Sequence, residues 1–349
     1  MRRKHIKRRY VVAASVIVAA VAVLISEFLP SRQQQIAPRA ATTYSISVRL
    51  QGPFDPAFAG EMVAARAGLF EREGLHVALK PGGPEADPMG LVAGGADTIG
   101  VADAERFFLA RARGVPIVAF AAGYLESAVA FYALEQSGIR TPQDFIDRRV
   151  GYRAGHATAM MYEALMTRLQ LPRGQVREVA VGSDYAPLFK GELDVWPGSI
   201  AAEGFTFKQK QIRFNEIRPS NYGLHVPGTV YFTTEGTVRD NPELLRRFLR
   251  AVIAGWGLAY ADYDKSIPLI AAFDDKALAP DYIRFKLERQ RDILRPLGTR
   301  FGEFDLTRWR SLQDILLQQK LLKEPIDLSR AVTFDILRDA YRKPSTFAN

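Results

Sequence analysis

Tyr124, Glu126 and Ser127 leave a predicted strand at its carboxyl end, offering an aromatic face, a carboxylate and a hydroxyl within four residues. In open parallel α/β sheets ligands collect beyond such strand ends. Gly155-His156-Ala157-Thr158 opens a predicted helix, and the free amides of a helix start suit an anionic or carbonyl oxygen. The alternative is that Gly155 serves only the turn. His156 stands there alone, and a lone histidine is more often a hydrogen-bonding structural residue than a ligand. Phe54, Asp55 and Phe58 sit at the mouth of the first predicted strand. Asp55-Pro56 has the form of a helix start, which favours a capping role for Asp55 over a ligand contact. Gly83 lies in the turn Gly82-Gly83-Pro84 at the end of the next strand.

Other chemistries find little support. The chain contains no cysteine, which excludes disulfides, thiolate nucleophiles, cysteine-ligated metals and a lipid-modified cysteine. Its four histidines, His5, His76, His156 and His225, show no HxxxH or HxH spacing, so no metal set is expected. There is no GxxxxGK[ST] phosphate loop, no strand-anchored GxGxxG and no GxSxG nucleophile elbow. No cofactor is expected.

The elements that must position these residues are legible around Leu91 to Ala122. The pattern there is a helix end, the turn Gly94-Gly95, a short apolar strand at Thr98 to Val101, a helix capped by Asp103, and a strand at Ile117 to Phe120. Strand, helix, strand without a hairpin predicts a right-handed parallel crossover. Upstream, Ser45 to Leu50 and His76 to Leu79 read as strands flanking a helix that begins at Asp55. After Tyr124 a strand at Ala128 to Leu134 leaves this sheet, and Arg149 to Tyr152 begins a second strand–helix series. Val176 to Val181, Leu193 to Val195 and Ile212 to Ile217 read as its further strands, and Thr229 to Thr233 as the return. The remainder is helical in pattern, with Asn241-Pro242 and Asp305 as starts. Two α/β lobes joined by two crossings describe a clamshell with a cleft, and Tyr222 falls close to the second crossing. The expected segments are 44–130 with 231–349 for lobe one and 131–230 for lobe two.

The formal charge of +9 is concentrated at one end: residues 1–9 hold six of the 47 Lys and Arg and none of the 38 Asp and Glu. The near-neutral body gives no electrostatic case for nucleic acid. Behind the basic run, Tyr10 to Ile25 is apolar apart from Ser15. Residues 1–30 therefore read as an export signal or as an uncleaved membrane anchor, followed by a polar linker at 31–43. Either way the body is expected outside the cytoplasm, in the periplasm.

Five stretches occur in an order that carries a resemblance: AGEMVAARAGLFEREGLHV, LVAGGADTIGVADAERFFLARARGVPIVAFAA, SGIRTPQDFIDRRVGYRAG, LFKGELDVWPGSIAAEG and FTTEGTVRDNPELLRRFLRAVIAGW. Together they resemble the solute-binding proteins of ABC importers that take nitrate, alkanesulfonates, taurine and thiamine-pyrimidine precursors. YGLHVPGTVYFTTE and FGEFDLTRWRSLQDILLQQKLLKEPIDLSRAVTFDIL are most similar to the thiamine-pyrimidine branch, and the resemblance spans Tyr44 to about Leu337. It implies a two-lobed periplasmic-binding-protein-like (type II) fold, a small solute, an ABC permease as partner, and no catalysis. It also places Trp196 and Glu203 at the family position where a lobe-two strand ends and an acidic residue follows. There an indole could stack on an aminopyrimidine and the carboxylate accept its hydrogen bonds; the alternative is a packed Trp and a solvated Glu. Arg153 and the amides of 155–158 would instead serve an anion. Related thiamine-pyrimidine synthases depend on a cysteine-rich motif that this chain cannot supply.

Overall fold

The computed structural model describes residues 43–273 and 278–342. The expected export signal or anchor, and the linker up to residue 42, lie outside the described residues.

The first sheet is built from β1 (Tyr44–Arg49), β2 (Leu75–Lys80), β3 (Ile99–Asp103), β4 (Ile117–Ala122) and β10 (Thr229–Thr234), in the order β2-β1-β3-β10-β4. β1 runs parallel to both β2 and β3, while β10 is antiparallel to β3 and β4. The expected crossover from β3 to β4 is therefore parallel, but the two strands are not neighbours: the returning strand enters between them. β4 lies at the edge of this sheet yet is buried along all six residues, with a bridge from Ala119 to Val332. Gly100 is required at its position in β3, because a Cβ there would lie 2.2 Å from the Phe232 ring of β10.

Residues 123–128 lead to a second, antiparallel sheet, β8-β5-β9, from β5 (Val129–Leu134), β8 (Trp196–Ser199) and β9 (Phe214–Ile217). A parallel pair, β6 (Arg149–Tyr152) with β7 (Arg177–Ala180), joins it through a bridge between Val150 and Val195. β8 begins at Trp196, so this residue is part of the strand rather than just beyond it. Residues 223–228 make the return. The two-lobed, twice-crossed α/β fold read from the sequence is the fold observed.

The helices that matter for the site are α1 (Ala59–Arg66), α2 (Ala104–Ala112), α3 (Ala157–Arg168), α4 (Glu203–Gln209), α5 (Pro242–Ala261), α6 (Pro280–Leu294) and α7 (Leu306–Gln318). α5 buries Leu245, Phe248, Leu249 and Val252 in one stripe against α1 and the first sheet. Each such side chain contributes about 1.5–3 kcal/mol by leaving water. Asp305 accepts from the Thr307 and Arg308 amides and starts α7 as read. Asp103 and Asn241 hold the expected cap positions of α2 and α5, but neither side chain makes a cap hydrogen bond. α6 touches both lobes: Gln290 Nε2 donates to the Pro56 carbonyl at 2.8 Å, and Arg289 Nε donates to the Ile200 carbonyl at 3.0 Å.

Candidate functional site

A cavity of about 340 Å³ lies between the lobes, beneath both crossing segments. Lobe one contributes Gln51 just beyond β1, Asp103 and Glu105 at the β3–α2 junction, and Tyr124 from the first crossing. Lobe two contributes Arg153 and Thr158 from the β6–α3 junction, and Ser199 and Glu203 from the β8–α4 turn. Lys286, Gln290 and Ile293 reach in from α6. These are strand ends and helix starts, the places where backbone geometry turns side chains toward the cleft.

Of the residues singled out in the sequence, Tyr124, Ser127, Arg153, Thr158 and Glu203 line this cavity. The others do not, each for a local reason. Trp196 is fully buried within lobe two, its ring 4.9 Å from Tyr185 and covered by the Arg153 guanidinium at 5.0 Å, so it backs the Glu203 carboxyl instead of offering a stacking face. Glu126 is drawn aside by Arg308 at 3.0 Å and His225 Nδ1 at 2.8 Å. Asp55 accepts from the Ala57 amide at 2.8 Å and from the Tyr282 hydroxyl at 2.9 Å, and pairs with Lys286. Phe54 packs edge-on to Phe273 at 4.8 Å, and Phe58 is buried in the core. Gly83 sits in a tight turn bridged to Ala86. Gly155, at φ 75°, and His156 are exposed ahead of α3, with Gly155 serving the turn. Tyr222 packs on the lobe-two core, and its carbonyl accepts from Arg168 at 2.7 Å.

The cavity holds residues that motif reasoning passed over. Asp103 was read as a helix cap; its backbone is at the cap, but its carboxyl faces the cavity beside Gln51. Glu105 was an unremarked first-turn residue. Lys286 and Gln290 come from a helix more than 150 residues beyond Tyr124 in sequence, and no local pattern marks them.

The electrostatics of the cavity are acidic with local compensation. Glu203 is 6 % exposed, and burial raises its pKa. The Ser199 amide donates to it at 2.7 Å and the Arg153 charge moderates the rise. That inward fold of the carboxyl needs a glycine at 198, where a Cβ would stand 2.3 Å from Glu203 Cδ. Burial raises the pKa of Asp103, against the opposing pull of Gln51, Arg106 and His156. Burial, and then the neighbouring Asp103 charge, hold Glu105 well above the usual carboxylate range. Burial alone would lower the pKa of Lys286, but the Asp55 carboxylate and Tyr282 outweigh it and keep the ammonium charged. Three buried polar atoms on the cavity wall have no hydrogen-bond partner: Gln51 Oε1, Arg153 Nε and Thr158 Oγ1. Each such atom costs about 1–3 kcal/mol while unpaired. Among the described residues no group of three or more His, Asp or Glu side chains is placed to hold a metal ion.

Comparison with known proteins agrees with this architecture. The family model described as NMT1/THI5 like matches residues 55–266. A formylaminopyrimidine-binding protein of Halalkalibacterium halodurans is 23 % identical over 270 residues, covering 76 % of this chain and 82 % of that protein. A 4-amino-5-hydroxymethyl-2-methylpyrimidine phosphate synthase of Schizosaccharomyces pombe is 25 % identical over 246 residues, 67 % of either chain. Among solved structures, the periplasmic aliphatic sulphonate binding protein SsuA of Escherichia coli superposes with a TM-score of 0.69 at 15 % identity, over 84 % of this chain and 92 % of that one.

Proposed function

From the premise that this chain belongs to the NMT1/THI5-like family, we propose that it is an exported, periplasmic substrate-binding protein delivering an aminopyrimidine-type solute to an ABC permease. The observation that carries the reading is the set of unpaired buried atoms on facing walls of the inter-lobe cavity. Gln51 Oε1 requires a donor and Arg153 Nε an acceptor, while Thr158 Oγ1 serves as either. A flat heterocycle with ring nitrogens and an exocyclic amine presents donors and acceptors together. A sulfonate presents acceptors only and would face the buried Glu203 carboxyl. The formylaminopyrimidine-binding relative supports the same ligand class.

In this reading residues 44–130 with 231–349 form one lobe and 131–230 the other. The ligand bridges Gln51 and Tyr124 of the first to Thr158 and Glu203 of the second. Closure is favoured by the ligand's greater affinity for the closed arrangement. Residues 1–30 supply the export signal or, if uncleaved, a membrane tether.

Calorimetric titration with 4-amino-5-hydroxymethyl-2-methylpyrimidine and its formylamino relatives, against taurine, alkanesulfonates and nitrate, tests the ligand class. Tight binding of a sulfonate with none of a pyrimidine overturns it. The named synthase activity of the fission-yeast relative supports a second reading, an enzyme on the same scaffold. The absence of any cysteine weighs against it. Turnover of a bound pyrimidine would favour the enzyme, and stoichiometric binding without product the receptor.

A further inference from the structure

The cavity wall carries three carboxyls, Asp103, Glu105 and Glu203, against two cations, Arg153 and Lys286. Neither cation is available to Asp103 and Glu105. The Lys286 ammonium is bonded to Asp55 and the Tyr282 hydroxyl, and the Arg153 guanidinium lies over the Trp196 ring at 5.0 Å, beside Glu203. Two charged groups face the pair from its surroundings. Arg106, on the same helix, gives its guanidinium to Asp87 at 2.6 Å, and His156, ahead of α3, stands exposed at the rim. Gln51 is the remaining polar neighbour of Asp103, and its own Oε1 has no partner.

We propose that Asp103 and Glu105 are the specificity-determining pair of the cavity, selecting a ligand whose docked end bears an amino group over an oxo or anionic analogue. This rests on the aminopyrimidine reading above and adds which residues enforce it. Two carboxyls two positions apart at a strand-to-helix junction cannot both ionise cheaply, since like charges in one partly desolvated site repel. Burial raises both, and the neighbouring Asp103 charge raises Glu105 further. Both line the cavity while the nearby cations are engaged elsewhere, so an ionised carboxyl of the pair calls for a hydrogen-bond donor from the ligand. An exocyclic amine supplies such a donor, as a 4-amino ring does. A 4-oxo or anionic group brings acceptor lone pairs to the same place, where the carboxylate opposes them. Sites built to hydrogen-bond one pattern reject its reverse far more strongly than sites that discriminate by size.

The test compares 4-amino-5-hydroxymethyl-2-methylpyrimidine with its 4-oxo counterpart by titration calorimetry, on the wild-type chain and on Asp103→Asn and Glu105→Gln. The wild type should prefer the amino probe by at least about 100-fold, and each variant should reduce that preference to less than about tenfold. Because neither side chain caps a helix or fills the core, both variants should unfold as cooperatively as the parent; should one fail to fold, the other carries the test. Binding of the amino probe with an unchanged amino-to-oxo ratio in the variants overturns this inference and leaves the receptor reading standing. Failure of the wild type to bind either probe overturns the aminopyrimidine reading and this inference with it.

Discussion

The Tyr124 hydroxyl lies 2.9 Å from Gln290 Oε1, tying the first crossing segment to helix α6. The same hydroxyl is 2.9 Å from the Ala57 carbonyl, so its one proton is shared between two acceptors. Gln290 is fully buried, and its amide nitrogen is held by the Pro56 carbonyl at 2.8 Å. Both side chains also line the cavity, so this wall is set by a hydrogen-bond network rooted in the turn at residues 56–58.

Tyr124→Phe removes the donor and leaves Gln290 Oε1 buried without a partner. The variant should lose about 1–3 kcal/mol of unfolding free energy, the usual cost of an orphaned buried acceptor. Urea denaturation measures this. A midpoint unchanged from wild type would show that the network does not hold this wall.

Glu61 sits 1 % exposed on α1, accepting from the Tyr231 hydroxyl at 2.7 Å. Burial raises its pKa from 4.5 to about 7, with the Tyr231 bond opposing the rise. A carboxyl raised in the folded state binds its proton more tightly there than when unfolded. Its stabilising effect is thus complete below pH 4.5 and is lost as pH climbs through about 7. The total is on the order of 3 kcal/mol. Glu61→Gln keeps the acceptor for Tyr231 and removes the charge, so it should be more stable than wild type at pH 8 and no more stable at pH 4.5. Parallel stability profiles across that range would exclude this role.

The fold was readable because apolar runs, glycine turns and proline starts are local signals. Ile117 to Phe120 is an apolar strand on sight, which the structure extends to Ala122, and Asp305 both looks like a cap and acts as one. What the chain does not display is insertion from a distance: β10 enters the first sheet between β3 and β4 more than 100 residues after them. The site divided along the same line. Tyr124, Ser127, Arg153, Thr158 and Glu203 reach the cavity from strand ends and helix starts, which are visible in sequence. Lys286 and Gln290 were missed because only tertiary packing carries α6 to the cavity. Asp103 was seen but given a cap's role, since an Asp before a helix is usually a cap and side-chain direction has no sequence signature. Trp196 failed as a stacking face because aromatic residues at a strand start serve core and pocket equally well.

Trp196 and Glu203 should consequently separate in mutagenesis. Trp196→Ala empties a fully buried site in lobe two and should cost about 3–5 kcal/mol of stability. Glu203→Gln preserves shape and keeps an acceptor for the Ser199 amide, so its stability should stay near that of wild type while ligand affinity falls. Thermal melts with and without the pyrimidine probe read both effects, because a ligand that binds only the folded form raises the melting temperature. Equal ligand-induced shifts in wild type and Glu203→Gln would remove Glu203 from the binding site.

Arg289 offers a direct test of how the lobes are held. From α6 it donates to the Ile200 carbonyl of lobe two at 3.0 Å and pairs with Glu216 of β9. Four residues earlier, Phe285 packs 5.5 Å from Phe205 of α4, while Lys286 of the same helix holds Asp55 of lobe one. α6 thus contacts both lobes. Arg289→Ala leaves the Glu216 carboxylate with the Tyr132 hydroxyl at 3.0 Å and the Arg218 guanidinium at 2.6 Å, so lobe two keeps its own network. The substitution should therefore spare the fold and shift the unliganded chain toward an open form. Small-angle scattering would register this as a larger radius of gyration that the pyrimidine probe brings back down. Ligand affinity should fall by about tenfold, the equivalent of about 1.4 kcal/mol withdrawn from closure. An unchanged radius together with unchanged affinity would mean that closure is set by the two crossing segments alone.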